Sequence, residues 1–189
     1  PSDDVYVDAG SVSRTIGTAT GGNFESLAID ATPATTGVSD TIDDTTVSIT
    51  GDAVVGEGAT ASYTVSLTSP AQTAVTVNLT YSGVAADGSD FTGIASVTIP
   101  AGSSSANFSL ATLQDVLAEG AESFTVTVAG AAGGNFESLV ISATNGAQTT
   151  SITDDDTPLL SVSSPSVTEG GLAVFTVSLS NASTTAIVF

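Results

Sequence analysis

The sequence predicts an all-β protein built of tandem antiparallel β-sandwich modules, and three observations carry that prediction. Apolar residues alternate with Ser and Thr at a period of two, Gly, Pro, Asn and Asp punctuate the alternating runs, and a long stretch of sequence returns at a fixed interval. No segment of about ten residues carries a helical period, although Gln114 to Glu122 has room for a turn.

The interval is read from one motif. Gly21-Gly22-Asn23-Phe24-Glu25-Ser26-Leu27 returns 112 residues later as Gly133-Gly134-Asn135-Phe136-Glu137-Ser138-Leu139. The register then holds without a gap, with Asp43-Asp44 matching Asp155-Asp156, Glu57-Gly58 matching Glu169-Gly170, Tyr63 matching Phe175 and Leu67 matching Leu179. Residues 1–45 therefore read as the end of one β-sandwich repeat, 46–157 as a complete repeat and 158–189 as the start of a third. A chain that starts and stops inside repeats is expected to be a piece of a longer array, with Phe189 not a natural C-terminus and any export signal outside these residues.

Within the complete repeat the strands follow in order. Val47 to Ile49 opens it. Ala59, Ala61, Tyr63, Val65 and Leu67 then share one face, with Thr60, Ser62, Thr64 and Ser66 on the other. The same period recurs in Val75-Val77-Leu79-Tyr81, Ala95-Val97-Ile99, Ala106-Phe108-Leu110 and Phe124-Val126-Val128, and a last strand runs from Phe136 to about Ile152. About seven antiparallel strands in some 110 residues is the pattern of an immunoglobulin-like sandwich.

Strand order also places the acidic residues. Successive antiparallel strands reverse direction, so the connections after the first, third and fifth strands share a pole with the end of the seventh. Glu57 lies in the first of these connections, Asp87 and Asp90 in the second, and Asp115, Glu119 and Glu122 in the third; Asp154, Asp155 and Asp156 close the last strand. Unit charges about 4 Å apart repel by about 4 kcal/mol at an effective dielectric near 20, so uncompensated carboxylates gathered there would oppose folding. A bound cation relieves the conflict. Many flexible oxygen donors suit Ca2+ better than the smaller Mg2+. That pole is also where the chain leaves through Thr157-Pro158-Leu159, which places the ion in the joint between repeats. An acidic surface kept only for solubility is the plainer reading of the same charges.

Composition narrows the function classes. The chain has no His, Cys, Met or Trp, and Arg14 is its only basic residue, so His, Cys and Lys are unavailable as base or nucleophile and only carboxylates, Ser, Thr and three Tyr remain; a carboxylate-pair glycosidase is the one formal catalytic alternative, and the sequence is not expected to be an enzyme. Twenty acidic residues and a net charge of −19 repel phosphate backbones and anionic headgroups alike, which argues against nucleic acid and membrane surfaces as partners. Without cysteine the fold is held without disulfides, and no run reaches the ~18 apolar residues of a spanning helix.

Two resemblances stand on particular residues. Asp3-Asp4-Val5-Tyr6-Val7-Asp8-Ala9-Gly10, then Gly21-Gly22-Asn23-Phe24-Glu25 and Asp40-Thr41-Ile42-Asp43-Asp44, resemble the repeats of large RTX-type biofilm adhesins of Gram-negative bacteria. Glu57-Gly58, Gly88-Ser89-Asp90-Phe91, Ile99-Pro100-Ala101-Gly102, Glu119-Gly120-Ala121-Glu122-Ser123-Phe124-Thr125-Val126 and Asp154-Asp155-Asp156 resemble a Calx-beta domain. Carried over residue by residue, the second resemblance implies a calcium ligand set of Glu57, Asp90, Asp115, Glu119, Glu122, Asp154, Asp155 and Asp156. Gln114 stands where two-carboxylate versions carry a second acid, so one or two ions are expected. In the first repeat Val7 and Gly10 replace Glu119 and Glu122, leaving Asp3, Asp4, Asp8, Asp43 and Asp44 as candidates for a differently built site.

The resemblance implies an extender segment of a giant adhesin, exported by a type I system, anchored at the outer membrane and facing the cell exterior. Its partners would be neighbouring repeats of the same chain and other components of the cell surface or matrix. Three other functions fit the sequence: a carbohydrate- or ligand-binding adhesive module with an aromatic groove near Tyr81 or Phe91, a regulatory calcium sensor, and a subunit of a filament or surface layer. The sequons at Asn78, Asn107 and Asn181 are expected by chance in a chain this rich in Ser and Thr, and outward Thr is an ordinary strand residue.

Overall fold

Alternation becomes burial in the strand Thr60–Leu67, whose Ala61, Tyr63, Val65 and Leu67 face inward while Thr60 and Ser62 face water. The computed structural model describes residues 2–183 and 185–188; Pro1, Thr184 and Phe189 lie outside the described residues, and with Phe189 the expectation that it is not a natural C-terminus. In chain order the strands are β1 (Gly10–Arg14), β2 (Ala34–Val38), β3 (Asp44–Gly51), β4 (Val54–Gly56), β5 (Thr60–Leu67), β6 (Val75–Gly83), β7 (Ser96–Ile99), β8 (Ser105–Ala111), β9 (Leu117–Ala118), β10 (Glu122–Gly133), β11 (Ser138–Ile141), β12 (Ala147–Thr153), β13 (Leu160–Val162), β14 (Val177–Leu179) and β15 (Ala182–Ser183). Among the described residues there is no helix.

Two sheets form the sandwich. One is five-stranded in the order β4-β12-β10-β6-β7, the other four-stranded in the order β11-β3-β5-β8. Their inner faces meet over a continuous core that includes Val47, Ile49, Val65, Val75, Val77, Ile99, Leu110 and Val126. At one end Phe91 and Phe124 stack with ring centroids 4.0 Å apart, both fully buried. Tyr63 crosses the sandwich to share a hydrogen bond with Thr150 Oγ1, which also donates to the Asp52 carbonyl, so both buried hydroxyls are satisfied.

The strands depart from the sequence expectation in two places. The opening strand is two strands: Gly51 and Asp52 bend the chain so that β3 stays in the four-stranded sheet while β4 crosses to the five-stranded one. The expected last strand is likewise divided into β11 and β12, in different sheets, with Thr144-Asn145-Gly146 turning between them. As a result two parallel pairs, β3 with β11 and β4 with β12, complete the otherwise antiparallel sheets. Ala59 and Ala95, expected on inward faces, lie just outside β5 and β7 and are exposed.

The flanking segments have little interior. β1 and β2 pair as a ribbon with every position exposed, and β13 pairs β14. Phe175, in register with the buried Tyr63, is 63% exposed, and Phe24, in register with Phe136, is 68% exposed.

Candidate metal centre

Strand direction delivers carboxylates to one pole of the sandwich. Glu57 follows β4, and Asp90 sits in the connection between β6 and β7. Asp115 and Glu119 flank β9, Glu122 is the first residue of β10, and Asp154 to Asp156 follow β12 directly. Six of them, Glu57, Asp90, Asp115, Glu119, Glu122 and Asp154, line a small cleft of about 20 Å³ together with the apolar Leu113 and Ile152, whereas Asp155 and Asp156 stand outside its lining.

The eight residues fall into two groups and one intermediary. Oxygens of Glu57, Asp154, Asp155 and Asp156 lie within 4.8 Å of one another, as do those of Asp90, Glu119 and Glu122. Asp115 joins neither group but stands beside both in the cleft wall. Asp87 does not take part; it accepts a hydrogen bond from the Gly93 N–H at 2.7 Å and braces its own loop. Among the described residues Asp3, Asp4, Asp8, Asp43 and Asp44 form no such group, and most of them serve local structure: Asp4 accepts from Tyr6 N–H, Asp3 from the Thr41 hydroxyl and Asp8 from Ser2 N–H.

Main-chain donors hold the acids in position. Asp115 N–H donates to Glu57 Oε1 at 2.7 Å, Leu117 N–H to Asp115 Oδ1 at 2.6 Å, Glu119 N–H to Asp154 Oδ2 at 2.6 Å and Ala86 N–H to Asp90 Oδ2 at 2.6 Å. Asp156 N–H donates to Asp154 Oδ1 at 2.8 Å, the turn that folds the acidic run back on itself. The Asp115–Glu57 and Glu119–Asp154 bonds cross between connections far apart in sequence, while the other three shape the individual turns.

Two partners carry no charge and escape a search for acids. Gln114 packs over Gly58, where a Cβ would meet its Oε1 at 2.7 Å and its Cβ at 3.2 Å, and its amide donates to Asp155 Oδ1 at 3.1 Å. Asn181, from the segment beyond Pro158, donates through Nδ2 to Asp156 Oδ1 at 3.2 Å. The only sequence signal for Gln114 is its place beside Asp115, and for Asn181 there is none.

The carboxylates of the cleft repel one another. Burial raises the Glu57 carboxyl above its ordinary pKa against the Asp115 N–H that lowers it, and Asp115, Asp154 and Asp156 push it further up. Glu119 is raised by burial and then by Glu122, Asp115, Asp90 and Asp154; Glu122 by burial and by the charge and hydrogen bond of Asp90. Asp156 is raised by burial and by Asp154, Asp155 and Asp115, with Asn181 opposing. Asp156 Oδ2 is buried with no hydrogen-bond partner. Arg14, the one basic residue, is on the exposed ribbon. An all-oxygen donor set, mutual repulsion and an orphaned carboxylate oxygen together fit a hard divalent cation.

An aromatic sugar groove is not present at the positions considered for it. Phe91 is fully buried, and the half-buried Tyr81 donates its hydroxyl to the Ile94 carbonyl and accepts from the Ile94 N–H.

Comparison with known proteins agrees with this architecture. A family model described as the LapA domain matches residues 1–41 and 43–157. Among solved structures, the apo form of the Calx CBD1 domain is similar at 22% identity and a TM-score of 0.51, over 59% of this chain and 98% of that one. CBD12 from CALX1.2 is similar at 21% identity and a TM-score of 0.50, over 59% of this chain and 46% of that one. Both likenesses are of fold, and they identify the sandwich as Calx-beta-like. No curated protein matches the sequence.

Proposed function

Since the chain belongs to the LapA domain family, which marks it as part of a biofilm adhesin of the cell surface, we propose that it is an extender segment whose joints are stiffened by calcium. The observation that supports this reading most directly is the position of the acidic cleft. It stands where the sandwich hands the chain to residues 158–188, and Asn181 from those residues already bonds Asp156.

In this reading residues 1–45 end one repeat, 46–157 form a complete one and 158–189 begin the next. Glu57, Asp154, Asp155 and Asp156 hold one ion, and Asp90, Glu119 and Glu122 hold a second, with Asp115 between them. When bound, calcium supplies positive charge that cancels the repulsion. The protein's part is to present oxygens from four separate connections and to tie the strand end at Thr153 to the outgoing linker. Neighbouring repeats are the principal partners, the location is the outside of a Gram-negative cell within a large RTX-type adhesin, and the segment carries no catalysis of its own.

Small-angle X-ray scattering on the full chain tests the extender role. Calcium should lengthen the maximum dimension and narrow the flexibility of residues 158–188 relative to chelator. Identical profiles in the two conditions would remove the stiffening role.

A further inference from the structure

The motif that revealed the repeat has a structural task of its own. In the second copy Gly133 and Gly134, at φ +108° and +82°, make a turn in which a Cβ on Gly134 would lie 2.3 Å from the Phe136 ring and 2.8 Å from Val75 Cγ2. The glycines therefore let the ring fold back against the sandwich. Residues 5–7 from the preceding segment lie against this loop as a short antiparallel strip. Val7 N–H donates to the Asn135 carbonyl at 3.1 Å, Glu137 N–H donates to the Val5 carbonyl at 3.0 Å, and Tyr6 stacks on Phe136 with centroids 5.4 Å apart. Tyr6 OH donates to the Pro70 carbonyl, and Asp43 N–H donates to Glu137 Oε2 at 2.7 Å.

The first copy of the motif takes the same turn. Gly21 and Gly22 stand at φ +99° and +80°, a Cβ on Gly22 would again lie 2.3 Å from the phenylalanine ring, and Phe24 is open to solvent. At the other pole the strip in register with residues 5–7 is Leu117-Ala118-Glu119, which pairs through β9 with Ala182–Ser183 of β15, in register with Pro70-Ala71. At both joints the strip approaches the Pro70 position of the following segment or its counterpart Ala182, and the strip's own residues differ. Ala118 replaces the ring of Tyr6, and Glu119 N–H turns inward to Asp154, where Val7 N–H turns outward to Asn135.

We propose that the Gly133–Glu137 loop is a docking surface for the tail of the preceding repeat, gripping Val5-Tyr6-Val7 by an aromatic stack and main-chain pairing, and that this joint closes without a cation. The array then contains two kinds of joint, one set by ring and backbone contacts and one by the acidic cleft. This goes beyond the calcium-stiffened joint and does not depend on it.

The chain's lack of cysteine makes a clean test possible. Thr36→Cys and Thr98→Cys, both at exposed positions, carry spin labels in the full chain, and the distance between them is measured by pulsed EPR in chelator. A single narrow distance is expected, unchanged by calcium. Tyr6→Ala should broaden it, Tyr6→Phe should preserve it, and Val7→Pro, which removes the N–H given to Asn135, should broaden it again. Amide exchange supplies a second readout, with the Glu137 N–H losing about tenfold or more in protection on Tyr6→Ala. A broad distribution in chelator that calcium narrows, or an unchanged distance in both Tyr6→Ala and Val7→Pro, overturns the proposal. Glu122→Gln separates the two readings, since it should weaken calcium binding and leave the Thr36–Thr98 distance as it was.

Discussion

Adding calcium to the chelated chain should raise its melting temperature by about 8–18 °C. The cleft contains two carboxylate groups, so two ions are counted. For sites with dissociation constants of about 0.1–1 mM, typical of extracellular calcium modules, ~5 mM calcium stabilises the fold by roughly 1–2.3 kcal/mol per ion. A domain of roughly a hundred residues shifts by about 4 °C per kcal/mol, which gives the range stated. Differential scanning calorimetry on residues 1–189 in calcium and in chelator measures it. Glu122→Gln supplies a sign test, because Glu122 is held above its ordinary pKa by burial and by Asp90. Removing its charge should raise the melting temperature in chelator while shrinking the calcium-induced rise. A melting temperature indifferent to calcium refutes the metal centre and leaves the acidic pole as a solubility device. A chelated Glu122→Gln protein that melts lower than the parent refutes the repulsion on which the centre was argued.

Three further outcomes follow from particular contacts. In chelator, stability should fall as pH rises above the ordinary carboxylate range: Glu57, Glu119, Glu122 and Asp156 are raised chiefly by burial, so the folded state keeps protons that the unfolded state has released. Asp30 and Asp40, lowered mainly by the N–H groups of Thr32 and Asp8, act in the opposite sense only at pH below about 4; thermal melts from pH 5 to 7.5 check the slope, which saturating calcium should flatten or reverse. Phe91→Ala should cost about 3–5 kcal/mol in urea unfolding, since the ring is fully buried against Phe124 and directly follows Asp90. Gly134→Ala should cost more than about 1 kcal/mol, because its positive φ and the Phe136 ring both oppose a Cβ, whereas Gly102→Ala, with open space around it, meets only the φ penalty.

Much of this architecture is legible in the residues because burial follows a period of two. Tyr63, Val65 and Leu67 face the core as their alternation requires, and the reversal of successive strands is enough to bring Glu57, Asp90, Glu119, Glu122 and Asp154 to one pole. The division of the first and last strands is not legible. Whether Val54-Val55 continues one sheet or crosses to the other depends on where β12 lies, about a hundred residues away, and no local pattern reports that. Strand order alone puts Asp115 at that pole, and the Calx-beta resemblance implies a ligand role for it; its place outside both groups is set by the turn in which Leu117 N–H bonds its carboxylate. Asn181 was out of reach for a different reason: a neutral amide gains its role only from the carboxylate it meets.

The two parallel pairs bear on how the sandwich meets tension. Force applied along the chain enters through β3 and β4 and leaves through β12, and β4 runs parallel to β12 over Val54–Gly56 while β3 runs parallel to β11 over Asp44–Val47. Strands pulled lengthwise in opposite directions must slide, so their ladder bonds are strained together; a hairpin pulled from its open end would instead lose them one at a time. Glu57 lies just past the end of β4 and Asp154 just past the end of β12, so a clasp between those two residues sits at the point where sliding would begin. A cation held between Glu57 and Asp154 would therefore resist the first step of rupture as well as order the outgoing chain.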